Sequence, residues 1–195
     1  MMGACRFLLV WGAVMLLAGC TLLVSDETCT SDVECASGSQ CAEEGFCVAL
    51  DNPGCERIGS QDEGALVLGF IMTFSGPYAE SGTDQRKVVD LALAEINAKG
   101  GIQGLQGKRE LAFLACDDKA DKDQTRAAAT YLTKMGVPAI LGPGFSSLLE
   151  VSATEVVIPS GTFTVSPSST AVSIRDLEDD DLIWRISSSD TKQAN

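Results

Sequence analysis

Histidine is absent from all 195 residues. With it go the commonest general base, the usual catalytic triads and most zinc and iron sites. Basic residues are scarce: 14 Lys and Arg stand against 27 Asp and Glu, for a formal net charge of −13. Such a surface repels phosphate backbones and no Lys/Arg stripe interrupts it, which excludes nucleic acid as a partner. Neither a nucleophile elbow nor a phosphate-cradling loop is present, so no enzyme chemistry and no cofactor is expected. With only 6 Pro and 45% hydrophobic residues, the chain is neither disordered nor fibrous, and it suffices for one α/β domain with additions. The apolar run from Phe7 to Leu17 is too short for a stable transmembrane helix.

That run follows the single charge of Arg6 and ends in Leu17-Ala18-Gly19-Cys20, the pattern of a secretory signal closed by a bacterial lipobox. Residues 1–19 are therefore expected to be a lipoprotein signal peptide. Cys20 becomes the acylated N-terminus, and several acyl chains (palmitate among them) hold the protein on a membrane. The segment faces the periplasm or the cell surface. Thr21, not Asp, follows Cys20, which favours the outer membrane.

Six further cysteines, Cys29, Cys35, Cys41, Cys47, Cys55 and Cys116, form an even set. In an exported chain such a set reads as disulfides. The first four recur every six residues among Ser, Asp, Gly and Glu. Those intervals are too wide and too regular for Cys-x-x-Cys metal ligation, so no metal is expected. With few large apolar groups, residues 20–63 need covalent staples and are expected to form a small Cys-rich spacer. Cys55 and Cys116 are left over if the first four pair among themselves; spacing alone does not fix the connectivity.

From residue 64 to 195 strands alternate with helices. Ala65 to Thr73 is a near-continuous apolar run, as a parallel strand buried on both faces requires. Gly82 to Lys99 has helical spacing and stops at Gly100-Gly101. Leu111 to Cys116 is a second strand. Asp121 and Gln124 predict a capping box for a helix ending at Gly136. Pro138 to Leu141, Phe163 to Val165 and Leu182 to Ile186 are further strands, with a helix from Ser147 to Val157 between the first two. This order predicts a doubly wound parallel α/β sheet.

In such sheets ligands bind beyond the carboxyl ends of the strands, where strand order reverses. The loops there are rich in hydroxyls: Ser75 after the first strand, Ser146 after the third, and Ser168, Ser169 and Thr170 after the fourth. A helix N-terminus with a Ser beside it suits a carboxylate, and carbonyls or hydroxyls suit an ammonium. Two other motifs fail. Gly142-x-Gly144-x-x-Ser147 lacks the last Gly and the acidic partner of a dinucleotide site. Asp117, Asp118, Asp121 and Asp123 lack the alternation and central Gly of a calcium loop, and are expected to be solvated helix-capping acids.

Six phrases occur in order: FSGPYAESG, LALAEINAKGGIQG, DDKADKDQ, LGPGFSS, VSPSST and WRISSSDTKQA. In this, residues from about 66 to 195 resemble the N-terminal part of the branched-chain amino-acid-binding proteins of ABC importers, with the type I periplasmic-binding-protein fold. The resemblance implies that the Ser146 hydroxyl meets the ligand's α-carboxylate. Thr170 would contact carboxylate and ammonium, the Ser168 carbonyl would take the ammonium, and Ser169 would support the backbone. Ser81 falls near a position where several relatives carry an aromatic ring. Ala120 and Phe145 stand where some relatives carry a disulfide.

The resemblance also implies an incomplete N-terminal lobe. The second lobe, its acid for the ammonium and the hinge are not matched, so binding by this stretch alone is expected to be weak. The leading functional expectation is a substrate-binding lipoprotein that hands a small amino acid to an ABC permease without catalysis. The alternative is a truncated or repurposed surface lipoprotein whose Cys-rich segment contacts proteins and whose α/β part no longer binds ligand.

Overall fold

A computed structural model describes residues 28–194 apart from 32, 33, 37, 43, 44 and 106. The signal segment and Cys20 lie outside the described residues. Among those that are described, no helix is long and apolar enough to cross a membrane.

The Cys-rich stretch forms a two-stranded antiparallel ribbon, β1 (Ser39–Cys41) against β2 (Cys47–Ala49). Disulfides Cys29–Cys41 and Cys35–Cys47 staple it. Three of these sulfurs, those of Cys29, Cys35 and Cys47, lie close enough together to suggest metal ligands. All three are consumed in disulfides, so none is available as a thiolate. The ribbon rests on the far end of α2 (Lys122–Lys134), where Lys134 Nζ donates to Gln40 Oε1 at 2.6 Å.

Within residues 20–63, Cys55–Gly59 is a strand of the main sheet (β3). It pairs antiparallel with β7 (Leu111–Asp117), with Cys55 opposite Cys116 in the register and disulfide-bonded to it. The leftover cysteines thus join each other. The remaining strands are β4 (Leu66–Met72), β8 (Ala139–Leu141), β9 (Phe163–Ser166) and β10 (Ile183–Arg185). Their order across the sheet is β10-β9-β8-β4-β7-β3, parallel except at β3. The doubly wound parallel sheet expected from the sequence is present, with one antiparallel edge added. A hairpin of β5 (Ile102–Gly104) and β6 (Gly107–Arg109) also separates α1 (Ala79–Ala98) from β7.

β4 is apolar throughout because both of its faces are covered. Phe70 and Met72 pack under α1 with Val89, Leu93, Leu111 and Ala115. Ile71 packs on the other face with Ala128, Ala129 and Leu132 of α2 and with Ile140 and Val157. Full burial of a side chain the size of Phe70, Ile71 or Leu132 contributes roughly 1.5–3 kcal/mol of apolar transfer, and the alanines less. α1 begins at Ala79, earlier than Gly82. Gly82 is a packing residue instead: a Cβ there would lie 2.0 Å from the Thr73 carbonyl oxygen. Only glycine lets the helix approach the end of β4 so closely.

The capping box of α2 is half formed. Asp121 accepts from Gln124 N at 2.9 Å, but the Gln124 side chain donates to Pro53 O. The third helix starts at Ser146 and runs past Val157, as α3 (Ser146–Ser152), a π-helical stretch Ala153–Val157 and α4 (Ile158–Ser160). Pro159 has no N–H and crowds the carbonyl four residues back, and the widened π turn accommodates it. Gly161, left-handed at φ 68°, ends the helix. A 3₁₀ turn (Val172–Asp176) and a short α5 (Asp190–Gln193) flank β10.

Candidate functional site

Strand order reverses between β4 and β8, since β7 lies on one side of β4 and β8 and β9 on the other. The carboxyl-end loops of β4, β8 and β9 therefore meet at one rim. Gly142 sets the second of them. It is left-handed at φ 100°, and a Cβ would fall 1.9 Å from Ile71 O, so the loop can lie directly on β4 only with glycine here.

Ser146 opens α3 and is half-buried. Its Oγ accepts from the N–H groups of Thr170 and Ala171, both at 3.1 Å. A hydroxyl has two acceptor positions and one proton. With both acceptor positions used, the proton is left to donate outward, which selects an acceptor such as a carboxylate. Thr170 is half-buried; its N–H goes to Ser146 and its carbonyl takes Asp190 N at 2.9 Å. Its hydroxyl bonds to none of the described residues. The Ser168 hydroxyl donates to Gly144 O at 3.0 Å, whereas its carbonyl accepts from no described residue. Ser146, Thr170 and Ser168 thus bring a free donor, a free hydroxyl and a free carbonyl to one rim.

Ser169 and Ser75 differ from these three. Ser169 is 1% exposed. Its Oγ lies 2.7 Å from Ser166 Oγ and 3.1 Å from Gly144 O, so its hydrogen bonding is internal and holds the β8 and β9 loops together. Ser166 completes that tie through Pro143 O at 2.6 Å. Ser75 is exposed, and its hydroxyl is engaged by the Asp117 carboxylate. The structure does not direct it at the other loops.

The acids after β7 are not all solvated helix caps; only Asp121 caps α2. Asp118 is fully buried, accepting from Thr73 Oγ1 at 2.6 Å and Ala120 N at 2.9 Å, with Oδ2 unpartnered among the described residues. Burial pushes its carboxyl above the ordinary range, against the two hydrogen bonds, and the charge of Asp117 adds to the rise. For Asp117, burial works in the same direction. It is outweighed by hydrogen bonds from the Ser75 hydroxyl and the N–H groups of Lys119, Phe74 and Ser75, which hold the carboxyl below its usual range. Together these acids fasten the β7 loop to the β4 loop.

Two features of the rim escaped sequence reasoning. Tyr78 and Phe145, from the β4 and β8 loops, meet edge to face with centroids 5.4 Å apart, while remaining 57% and 38% exposed. Arg185 on β10 donates to Ala171 O at 2.7 Å, and Ala171 in turn donates its N–H to Ser146 Oγ. Both pairings are long-range in the chain, and no local pattern signals them. A hollow of about 470 Å³ lies away from the rim, between Arg57, Arg109 and the end of α2.

Comparison with known proteins places the α/β part. A family model described as periplasmic binding protein matches residues 65–195. The Leu/Ile/Val-binding protein of Rhizobium johnstonii is 31% identical over 106 residues, which cover 54% of this chain and 28% of that protein. The Leu/Ile/Val-binding protein of Escherichia coli is 30% identical over the same shares. Among solved structures, the branched-chain amino acid transporter substrate binding protein LivJ of Streptococcus pneumoniae, in complex with isoleucine, superposes with a TM-score of 0.58 at 27% identity. That match covers 65% of this chain and 35% of LivJ. An ABC transporter substrate-binding protein of Desulfitobacterium hafniense, complexed with Leu, gives 0.55 at 26% identity, over 67% and 36%. The chain thus spans about a third or less of the length of these relatives.

Proposed function

The chain belongs to the periplasmic-binding-protein family, and on that premise we propose that it captures a small amino acid, without chemistry, for an ABC-type importer of the branched-chain kind. The observation that carries this reading is the spent acceptor capacity of Ser146. Its hydroxyl has only its proton left to offer, at the start of α3, where the N–H groups of Ser146 and Ser147 donate to no described residue, and Arg185 holds the carbonyl of the Ala171 whose N–H it accepts. All of these favour a carboxylate. The Ser168 carbonyl, together with the Thr170 hydroxyl, supplies acceptors for an ammonium from the neighbouring loop. The lipoprotein part of the reading rests on Leu17-Ala18-Gly19-Cys20: acylation of Cys20 would hold the protein at a membrane, on the extracytoplasmic side where its relatives act and where its disulfides persist. Residues 20–63 would then space the binding lobe from the bilayer.

The test is calorimetric titration of the full chain in detergent micelles against the amino acids and their methyl esters. Leucine should bind saturably and its methyl ester more weakly. Thr170→Val and Ser146→Ala should each weaken leucine about ten-fold or more, as expected for a lost hydrogen bond to a charged group. A folded chain that gives no heat with any amino acid would refute the reading and leave the alternative, a surface lipoprotein acting through its Cys-rich segment.

A further inference from the structure

In this acidic chain Arg86, Arg126 and Arg175 each pair with a carboxylate. Arg57 and Arg109 meet no carboxylate among the described residues, and both line the hollow of about 470 Å³. Their hold is on backbone alone. Arg57 donates to Ser60 O at 2.9 Å and Asp62 O at 2.7 Å. Arg109 donates to Gly64 O at 2.8 Å and Ala65 O at 3.1 Å. Each guanidinium thus spends Nε and Nη2 on one loop, and its Nη1 donates to no described residue. The acids nearby are turned to other donors. Asp62 Oδ1 accepts from Gly64 N at 2.6 Å, and Glu110 from the Ser60 hydroxyl at 2.6 Å. Neither these nor the exposed Glu63 lines the hollow.

The rest of the lining carries no charge, and Leu66, Leu114, Met135, Val137 and Pro138 make most of it apolar. It lies at the amino ends of β4 and β8, the edge of the sheet opposite the rim. α2 ends there with a partial negative charge of about half an electron, against two full positive charges, so the field stays positive. Fastening the loop explains the Nε and Nη2 bonds. It leaves two cations beside an uncharged apolar wall, in a chain of net charge −13. Guanidinium forks match oxyanions, and an apolar wall matches a hydrocarbon part. A carboxylate fills one fork; a phosphate has oxygens for both. The volume falls within the roughly 300–1,000 Å³ of small-molecule sites.

We propose that this hollow binds an amphiphilic phosphate, with its phosphoryl oxygens on Arg57 and Arg109 and its apolar part against Leu66, Val137 and Pro138. The site is independent of the amino-acid reading at the rim. Met135, which lines it, also neighbours the Cys-rich ribbon, where a Cβ on Gly38 would lie 3.2 Å from Met135 Sδ. The hollow therefore adjoins the ribbon, and a phospholipid headgroup and a free phosphate ester are the two sources of such a ligand.

The experiment is calorimetry on the full chain in non-ionic detergent micelles with hexyl phosphate, inorganic phosphate and hexanol. Hexyl phosphate should bind saturably, about ten-fold or more tighter than inorganic phosphate, and hexanol should not bind. Arg57→Gln and Arg109→Gln should each weaken hexyl phosphate about ten-fold or more. Both arginines also hold the loop, so Pro138→Glu serves as a second variant. It sets a carboxylate in the hollow from an exposed position and leaves the arginines in place. It should weaken hexyl phosphate as much, with the circular dichroism and melting temperature of wild type. Micelles doped with phosphatidylglycerol separate the sources: competition with hexyl phosphate assigns a lipid headgroup, and its absence a free ester. Leucine titrated in parallel reports on the rim, so its failure to bind leaves this proposal standing. No saturable binding of hexyl phosphate by wild type overturns the proposal, as does full affinity in Pro138→Glu or in both glutamine variants.

Discussion

Removing the Cys55–Cys116 bridge should destabilise the α/β lobe more than any other change to the cysteines. This disulfide closes a loop of 61 residues, against 12 for each bridge of the ribbon. In the chain-entropy treatment a closure of that length restrains the unfolded chain by about 4 kcal/mol, and the shorter ones by about 3 kcal/mol each. Location widens the gap. Cys55 and Cys116 sit inside the core cluster shared with Ile71, Leu132 and Val157, whereas the ribbon cysteines belong to neither core cluster. The Cys55→Ala/Cys116→Ala variant should therefore lose about 4 kcal/mol and melt roughly 8–16 °C lower, at 2–4 °C per kcal/mol for a domain of this size. Cys29→Ala/Cys41→Ala should loosen the ribbon and leave the main transition nearly in place. Scanning calorimetry of the oxidised proteins, with β3 followed by amide exchange, measures both. A main transition less than about 3 °C below wild type for Cys55→Ala/Cys116→Ala would refute the assignment of β3 as a covalently fixed part of the sheet.

Gly82→Ala should cost about 3 kcal/mol or more, because its Cβ would lie 2.0 Å from Thr73 O and backbone must move to admit it; urea titration reads the loss. Asp117→Asn should destabilise at pH 7. The wild-type carboxyl is held below its ordinary range, so the unfolded chain binds the extra proton and the contribution is present above the unfolded pKa. It is lost as the pH falls through the folded pKa, so wild type and Asp117→Asn should converge in melts taken below the usual carboxylate range; a constant gap would contradict the assignment. Thr170→Val should weaken binding without changing the melting temperature, since its hydroxyl bonds to none of the described residues; a matching loss of stability would make it a packing residue.

Local features were legible wherever a single stretch of chain carries its own cause. The run from Leu66 to Met72 is apolar because both faces are buried, and Asp121 caps α2 through a contact three residues away. The hydroxyl-rich loops fall at one rim because alternation of strand and helix leaves the carboxyl ends of all parallel strands on the same side. β3 was hidden for the opposite reason. Cys55–Gly59 carries Glu56 and Arg57 within five residues and gains its stability from a partner strand far along the chain. The division of labour among neighbouring serines was equally out of reach. Ser168, Ser169 and Ser146 are alike in type, and only the distances to Gly144 O, Ser166 Oγ and Thr170 N separate a fastening hydroxyl from a free one.

The sequence by itself determined the class of the protein: an acidic, histidine-free chain with a cysteine-stapled N-terminal stretch, a doubly wound sheet and a family resemblance in six ordered phrases. Composition and periodicity carry all of these but the resemblance, which rests on the phrases themselves; all are properties of residues taken in order. The tertiary structure alone decided which cysteines pair, that Asp118 is buried while hydrogen bonds hold the Asp117 carboxyl below its usual range, and that Tyr78 meets Phe145. Each of these joins positions from separate elements. Their energies depend on distance, burial and the competition for hydrogen-bond partners, quantities that exist only once the strands have taken their places.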